Sequence, residues 1–208
     1  MGNLREQTYK INPNFRLKSK YLSVDWYLVD DYTLECESTI EIPERSLFIV
    51  KRKPIILAQY SEAQLDLVYC NATDFESKKI QKWLRELLKD VILTTAKQIL
   101  PQKVKYWENL KGLKGSGVTV RRLRKNILGQ CSHSNHITLQ PFLVIFKEEW
   151  MDGVILHEMA HYKYKHHRKS FWNFLSQLIG EDSKFAKVKH DIALSPYYGY
   201  YLYLTKNK

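Results

Sequence analysis

The sequence predicts an α+β protein, because strand-like segments dominate its first third and helical periodicity dominates the remainder. Up to about residue 73, short runs of β-branched and aromatic residues are separated by turn signals, and no long helical repeat occurs. From residue 74 onward, apolar residues recur at spacings of three and four, which is typical of amphipathic helices. We therefore predict a β-rich unit over residues 1–73 and a second domain over residues 74–208.

The N-terminal unit is predicted to be a small antiparallel sheet. Acidic pairs and prolines separate its strand-like runs, and such residues favour turns. The predicted strands are Tyr21–Val29, Tyr32–Cys36, Ser46–Val50, Ile55–Leu57 and Leu65–Tyr69.

A long amphipathic helix is predicted to follow, with Asp74 as its N-cap. Its apolar stripe runs from Ile80 to Ile99, and the helix is predicted to end at Leu100, before Pro101. Elements predicted beyond it are strands at Val104–Trp107 and Val118–Leu123, a hairpin within Gly129–Leu139 with Asn135 at its tip, and helices at Ser170–Gly180 and Lys184–His190.

The segment from Val154 to Trp172 contains the most informative motif of the chain. His157 and His161 are four residues apart, so an α-helix would place both imidazoles on one face. Two neutral imidazoles in that arrangement can bind one zinc ion. Glu158 lies about 100° further around the helix axis, where its carboxylate can act as a general base. The surrounding residues are apolar, so the helix is predicted to be buried, and a bound metal would satisfy the buried imidazoles.

A catalytic zinc site needs a third protein ligand, and two adjacent histidines are candidates. His167 lies ten residues after His157, beyond the predicted end of the helix, where the chain can fold back. His166 would lie about half a turn away from the ligand face if the helix continued through it. The spacing therefore favours His167 and leaves His166 as the alternative. A second cluster of Cys131, His133 and His136 is disfavoured, because no fourth ligand is near in the sequence.

This spacing, His157-Glu158-x-x-His161-x5-His167-x3-Phe171-Trp172, resembles the signature of the YgjP-like zinc metallopeptidases. An upstream segment of the family, Gly-Ser-Cys-Ser before a hairpin, is matched by Gly129-Gln130-Cys131-Ser132. Where the family has Arg-Trp before that glycine, this chain has Ile127-Leu128. The similarity covers roughly residues 78–180.

The resemblance implies a zincin-like domain that hydrolyses peptide bonds with one Zn²⁺ ion. It implies His157, His161 and His167 as the zinc ligands and Glu158 as the catalytic base. It further implies that the hairpin forms the rim of the substrate cleft, and we expect Phe171 and Trp172 to hold His167 in place. The predicted cleft residues are Cys131, Ile137 and Leu139 from this hairpin, together with His190, Tyr197 and Tyr198 as candidate oxyanion donors.

The charge of the chain bears on its partners. Its 33 basic and 22 acidic residues give a net charge of +11, which favours acidic substrates or nucleic acid. The strongest basic cluster, a candidate phosphate or acidic-substrate patch, contains Arg121, Arg122, Arg124 and Lys125. No run reaches the ~18 apolar residues of a membrane span, and three widely separated cysteines do not form a disulfide framework. We therefore expect a cytoplasmic protein that does not associate with membranes.

The predicted function is zinc-dependent hydrolysis of a peptide or protein substrate. One alternative keeps the same site in a protease that acts on DNA-bound or crosslinked proteins, for which nucleic acid would be a partner. A second alternative is a non-catalytic binding module that zinc stabilises. The presence of Glu158 argues against the second, because a purely structural zinc needs no base.

Overall fold

The structure is a computed structural model that describes residues 9–30, 48–53, 56–61, 63–124, 127–180 and 185–205. For residues 48–53, 185–187 and His190, only the backbone is described. The predicted α+β class is confirmed by two separate sheets and five α-helices among these residues. The predicted strand Tyr32–Cys36 lies outside the described residues.

The chain divides into two compact units. The first contains the described residues up to Lys18, those within Leu22–Val91 and those from Gly199 onward. The second contains Ser19–Tyr21 and the described residues of Ile92–Tyr198. This division falls within a long helix, whereas the boundary predicted after residue 73 falls before that helix begins. The organisation into two domains stays a prediction.

The first unit contains a five-stranded sheet in the order β1-β2-β5-β4-β3. Three of its four strand pairs are antiparallel, as predicted, but β2 and β5 run parallel, so the prediction was wrong for that pair. Side chains alternate in the same way in parallel and antiparallel strands, so the sequence pattern could not distinguish the two. The strands are β1 Leu17–Lys18, β2 Ser23–Leu28, β3 Phe48–Lys53, β4 Ile56–Ser61 and β5 Gln64–Tyr69.

The long helix α1, Lys78–Lys111, continues eleven residues beyond its predicted end at Leu100. Its interior contains Pro101, and Val104–Trp107 is helical, so the strand predicted there was wrong. A proline inside a helix costs about 3 kcal/mol. The continuation offsets that cost, because Leu100 and Val104 lie one turn apart and both side chains are fully buried. The predicted cap residue Asp74 instead accepts a hydrogen bond from the backbone N–H of Glu76 in a turn before the helix.

The second unit contains a three-stranded sheet in the order β6-β8-β7, formed by β6 Gly117–Val120, β7 Gly129–Cys131 and β8 His136–Leu139. Strand β6 is shorter than predicted and runs parallel to β8, whereas β7 is antiparallel to β8. The turn between β7 and β8 contains Asn135 at φ 62°, which confirms the residue predicted for the hairpin tip. Because β8 lies between the other two strands, β7 is an edge strand among the strands described in this unit.

The remaining elements are a 3-10 helix, Pro141–Ile145, and helices α2 Glu148–Ala160, α3 Lys169–Ile179, α4 Phe185–Leu194 and α5 Tyr198–Thr205. The predicted stop at Gly180 is confirmed, since this residue ends α3 with φ 82°. None of the helices that the structure describes is long and apolar enough to span a membrane.

Ion pairs anchor the beginning of helix α2. The Lys103 ammonium lies 2.7 Å from Glu148 Oε1 and 3.0 Å from Asp152 Oδ2. Hydrogen bonds from Lys103, Lys20 and Tyr21 lower the pKa of Glu148 to about 2. The carboxylate is therefore ionised at neutral pH, and it also complements the positive end of the helix dipole. These contacts fix the helix that contains the His-Glu-x-x-His motif.

Candidate active site

The motif occupies the C-terminal half of helix α2, which is buried on all sides from Gly153 to Ala160. His157 is 6% exposed and Glu158 is 5% exposed, so two polar side chains lie in an otherwise apolar helix. His161 is the C-cap residue of the helix. The helix ends there, and the chain is free to turn back toward the imidazoles.

Three imidazoles converge at this end of the helix. The Nε2 atoms of His157 and His167 are 3.1 Å apart, and ring nitrogens of His157, His161 and His167 all lie within 4.8 Å of one another. Donor atoms about 2.0–2.1 Å from one tetrahedral ion are separated by about 3.3–3.4 Å. Within the described part of the chain, this is the only group of three or more His, Cys, Asp or Glu residues placed to bind a metal. The group includes neither His166 nor the second cluster that the sequence disfavoured.

Aromatic contacts hold the loop that contains His167. The buried Phe171 ring packs against the rings of all three histidines, with centroid distances of 4.6–5.0 Å. The Trp172 indole N–H donates a hydrogen bond of 2.8 Å to the His167 carbonyl. These contacts confirm the predicted packing of both aromatics around His167. By contrast, the exposed His166 uses its Nδ1 to accept the backbone N–H of Arg168.

The protonation states of the imidazoles suit a metal ion. The Nδ1 atom of His161 lies 2.8 Å from the Tyr164 carbonyl, which can only accept, so Nδ1 has the proton and Nε2 has the lone pair. Burial, together with repulsion from His161 and His167, lowers the pKa of His157 to about 2. Burial also lowers the pKa values of His161 and His167. Three neutral imidazoles with converging nitrogens form a donor set that fits zinc.

Glu158 lies directly beneath strand β7. A Cβ atom added to Gly129 would lie 2.7 Å from Glu158 Cγ and 2.9 Å from its Oε1, which is closer than atoms can pack. Only glycine at this position lets the strand approach the carboxylate so closely. Burial raises the pKa of Glu158 to about 8, and the charge of Lys189 opposes that rise. A carboxyl group in such an environment is suited to exchange protons near neutral pH.

These side chains line one open cleft of about 720 Å³. Its lining includes strand β7 with the residues before it, Ile127 and Leu128, and also Trp172 and Lys189. Lys165 connects the loop after α2 to the β7–β8 hairpin, because its ammonium donates to Ser132 O at 2.7 Å and Asn135 Oδ1 at 2.6 Å. The cleft is thus bounded by segments that are distant in the sequence.

Of the other predicted cleft residues whose side chains are described, one lines the cleft. Cys131 lines the cleft, and burial raises its pKa against the opposing charge of Lys165. Ile137 and Leu139 are fully buried on the central strand β8 and do not face the cleft. Neither Tyr197 nor Tyr198 is among the described residues that line the cleft. The side chain of His190 lies outside what the structure describes.

The predicted basic patch follows strand β6. The side chains of Arg121, Arg122 and Arg124 are exposed, and Lys125 lies outside the described residues. None of these three arginines is among the described residues that line the cleft. Their role as a binding patch stays a prediction.

Sequence reasoning missed Gly129, Lys165 and Lys189 as parts of the site. Gly129 was noted only as part of a family segment, although a glycine within a strand can signal close approach of another group. The two lysines have no such signal, because surface lysines are common in a chain of this charge.

We expect Gly129→Ala to lower kcat/KM by about 10- to 100-fold with bound metal retained, because the new methyl group would displace Glu158 by a few tenths of an ångström or more. Peptide hydrolysis and metal content measured on one preparation would check this. Lys105→Ala is the control, since that side chain is exposed and is not among the described cleft residues. Full activity in Gly129→Ala would show that the position of Glu158 does not depend on the glycine.

A buried helix that presents two imidazoles and a carboxyl group, beside a third imidazole from the following loop, is the arrangement of a metal-dependent hydrolase. A family model described as "YgjP-like, metallopeptidase domain" matches residues 42–187. The chain therefore belongs to the YgjP-like metallopeptidase family, and its predicted resemblance to that family is confirmed. Membership identifies the protein as a peptidase whose family uses a metal. No curated protein sequence matches the chain significantly.

Three solved structures, two of them of metallopeptidase zymogens, are similar to part of the chain. The abylysin zymogen of Pyrococcus abyssi is 24% identical over 45% of this chain and 90% of its own, with a TM-score of 0.39. The jannalysin zymogen of Methanocaldococcus jannaschii is 21% identical over 45% and 92%, with a TM-score of 0.38. Wss1 of Saccharomyces cerevisiae is 23% identical over 48% and 78%, with a TM-score of 0.35. These scores are low, so the assignment depends on the family match.

Proposed function

We propose that this peptidase uses one zinc ion, bound by His157, His161 and His167, and that Glu158 is its general base. The observation that carries the proposal is the convergence of three neutral imidazole nitrogens, with a 3.1 Å separation between two of them, beside a buried carboxyl group. A structural zinc site would be closed by a fourth protein ligand. The described residues offer three, and the open cleft leads to them.

The residues of the protein orient the zinc ligands and transfer the proton. A bound zinc ion would polarise the scissile carbonyl and lower the pKa of water. In its ionised form, Glu158 accepts the proton of the attacking water and then returns it to the leaving amine. Hydrogen bonding to the Tyr164 carbonyl orients the His161 ring, and the Trp172 hydrogen bond orients the His167 backbone.

An extended peptide would bind along strand β7. Strand β7 lines the cleft, and among the described strands it pairs only with β8. Its second edge can therefore pair with a substrate backbone. Backbone hydrogen bonds to such an edge recognise a peptide of any sequence, and side-chain pockets then provide specificity. The family identity makes a protein substrate the expected partner.

Removal of the metal tests the proposal directly. Purified protein should contain about one equivalent of zinc by elemental analysis and should hydrolyse an unfolded protein such as alkylated casein. A chelator should abolish hydrolysis, and one equivalent of zinc should restore it, because three ligands without an ion cannot activate water. Zinc-loaded protein that hydrolyses no unfolded substrate would instead favour the non-catalytic binding module.

Nucleic acid stays a second candidate partner. The net charge of +11 and the exposed arginines after β6 support it. Phosphate contacts would make DNA affinity fall steeply with added salt. Protease action on DNA-bound proteins would require this affinity in addition to peptide hydrolysis.

A further inference from the structure

The charges in the cleft are unusually one-sided. Lys165 and Lys189 both line it, and the single carboxylate among the described lining residues is Glu158. That carboxyl group is 5% exposed and belongs to the proposed catalytic apparatus. Among the described lining residues, the exposed charged groups are therefore both cations, and their potential attracts negatively charged ligands.

The ammonium group of Lys165 holds the β7–β8 hairpin. Lys165 donates to a carbonyl and to an amide oxygen, so its hydrogen bonds are used by the hairpin while its charge is retained. No carboxylate in the described parts of the chain forms an ion pair with it. Lys165 therefore contributes a positive potential to the cleft, while its hydrogen bonds hold the ammonium group against the hairpin.

Lys189 is placed to contact a substrate. Its side chain is exposed and lines the cleft from helix α4. His157 and His167 line the same cleft, so Lys189 shares this space with the proposed metal ligands.

The position of helix α4 is set by tight packing. A Cβ atom added to Gly153 of helix α2 would lie 3.1 Å from Val188 Cγ2, and Ile192 is 2% exposed. Val188 and Ile192 are four residues apart and therefore lie on one face of α4. Lys189 follows Val188 and is rotated about 100° from that buried face. The packing thus fixes the side of the cleft from which Lys189 extends.

Building on the proposed peptidase function, we propose that the cleft selects peptides with an acidic side chain beside the scissile bond, and that Lys189 recognises this charge. A carboxylate bound there forms an ion pair next to the reacting carbonyl. Such a pair in a partly exposed site changes affinity by a few-fold, and its effect depends on salt.

The test uses the full-length, zinc-loaded protein and a matched peptide series. Each peptide carries Asp, Asn or Lys at one of the positions flanking the scissile bond and is otherwise identical. We expect kcat/KM to be about 3- to 10-fold higher for Asp than for Asn at one position, and lower again for Lys. The preference should largely disappear at about 1 M salt, where the Debye length is about 3 Å.

Variants of Lys189 connect the preference to this residue. Lys189→Met should remove the difference between Asp and Asn, and Lys189→Glu should make Lys the preferred residue. Lys169→Met is the matched control, because this exposed lysine is not among the described cleft residues. It removes the same charge from the chain and should keep the preference. A Lys189→Met variant that lowers turnover of all three peptides equally would overturn the proposal.

Binding measurements separate this inference from the proposed function. In the Glu158→Gln background, fluorescence anisotropy of the same labelled peptides should show the same order of affinity, with no hydrolysis required. If wild-type protein hydrolyses no peptide, the proposed function is overturned, and the anisotropy series still decides the charge preference. If hydrolysis occurs but neither measurement depends on charge, the inference alone is overturned. The inference would also be overturned if duplex DNA displaced the labelled peptides in a way that depends on Lys189 while the peptides showed no preference for Asp.

Discussion

Glu158→Gln is expected to lower kcat by about 10²- to 10⁴-fold, the usual contribution of general acid–base catalysis, while zinc stays bound. Glutamine matches glutamate in shape, so the close packing against Gly129 is preserved. It cannot accept the proton of the attacking water. The measurement is hydrolysis of an unfolded protein, with zinc content determined on the same sample.

Zinc content separates a catalytic role of Glu158 from a structural one, because the proposed zinc ligands are different residues. If Glu158→Gln retained both zinc and full turnover, the role of general base would be excluded. If turnover and zinc were lost together, the carboxyl group would have a structural role in metal binding instead. A melting temperature close to that of the wild-type protein would show that the buried amide is tolerated.

His167→Ala is expected to weaken zinc binding by more than the roughly 10- to 100-fold that loss of an outer-shell partner causes, and to abolish hydrolysis. Its Nε2 atom lies 3.1 Å from that of His157, so its removal leaves two of three converging nitrogens. Equilibrium competition with a chromogenic chelator measures the affinity.

His166→Ala provides a closely matched control. The two variants remove the same group from adjacent positions in one loop, but the exposed His166 ring accepts a backbone N–H instead of facing the other imidazoles. We expect His166→Ala to keep zinc affinity and turnover near wild-type values. The opposite pattern, with loss in His166→Ala and retention in His167→Ala, would contradict the proposed ligand set.

The local part of the site could be predicted because it depends on helix geometry alone. A spacing of four places two side chains on one face of any α-helix, so His157 and His161 were paired before their environment was known. Spacing left both His166 and His167 as candidates for the third ligand, because they lie after the helix ends and loop geometry does not follow from spacing. The Phe171 and Trp172 contacts determine where His167 lies.

The errors came from contacts between distant segments. Helix α1 continues through Pro101 because Leu100 and Val104, on either side of the proline, are both fully buried, and local propensity contains no information about that burial. Ile137 and Leu139 were assigned to the cleft, but β7 occupies the edge position and leaves β8 in the centre of the sheet. Strand order is decided by pairing across the sheet, which an alternating pattern does not reveal.

The family, the α+β class and the pairing of His157 with His161 and Glu158 follow from residue order, because short-range spacing determines them. The folded chain was needed to bring His167 to the other imidazoles, Gly129 to Glu158 and Lys189 to the cleft. Each of these approaches joins segments that have no regular spacing between them. They result from burial of apolar surface and close packing, which act between neighbours in space and not between neighbours in sequence.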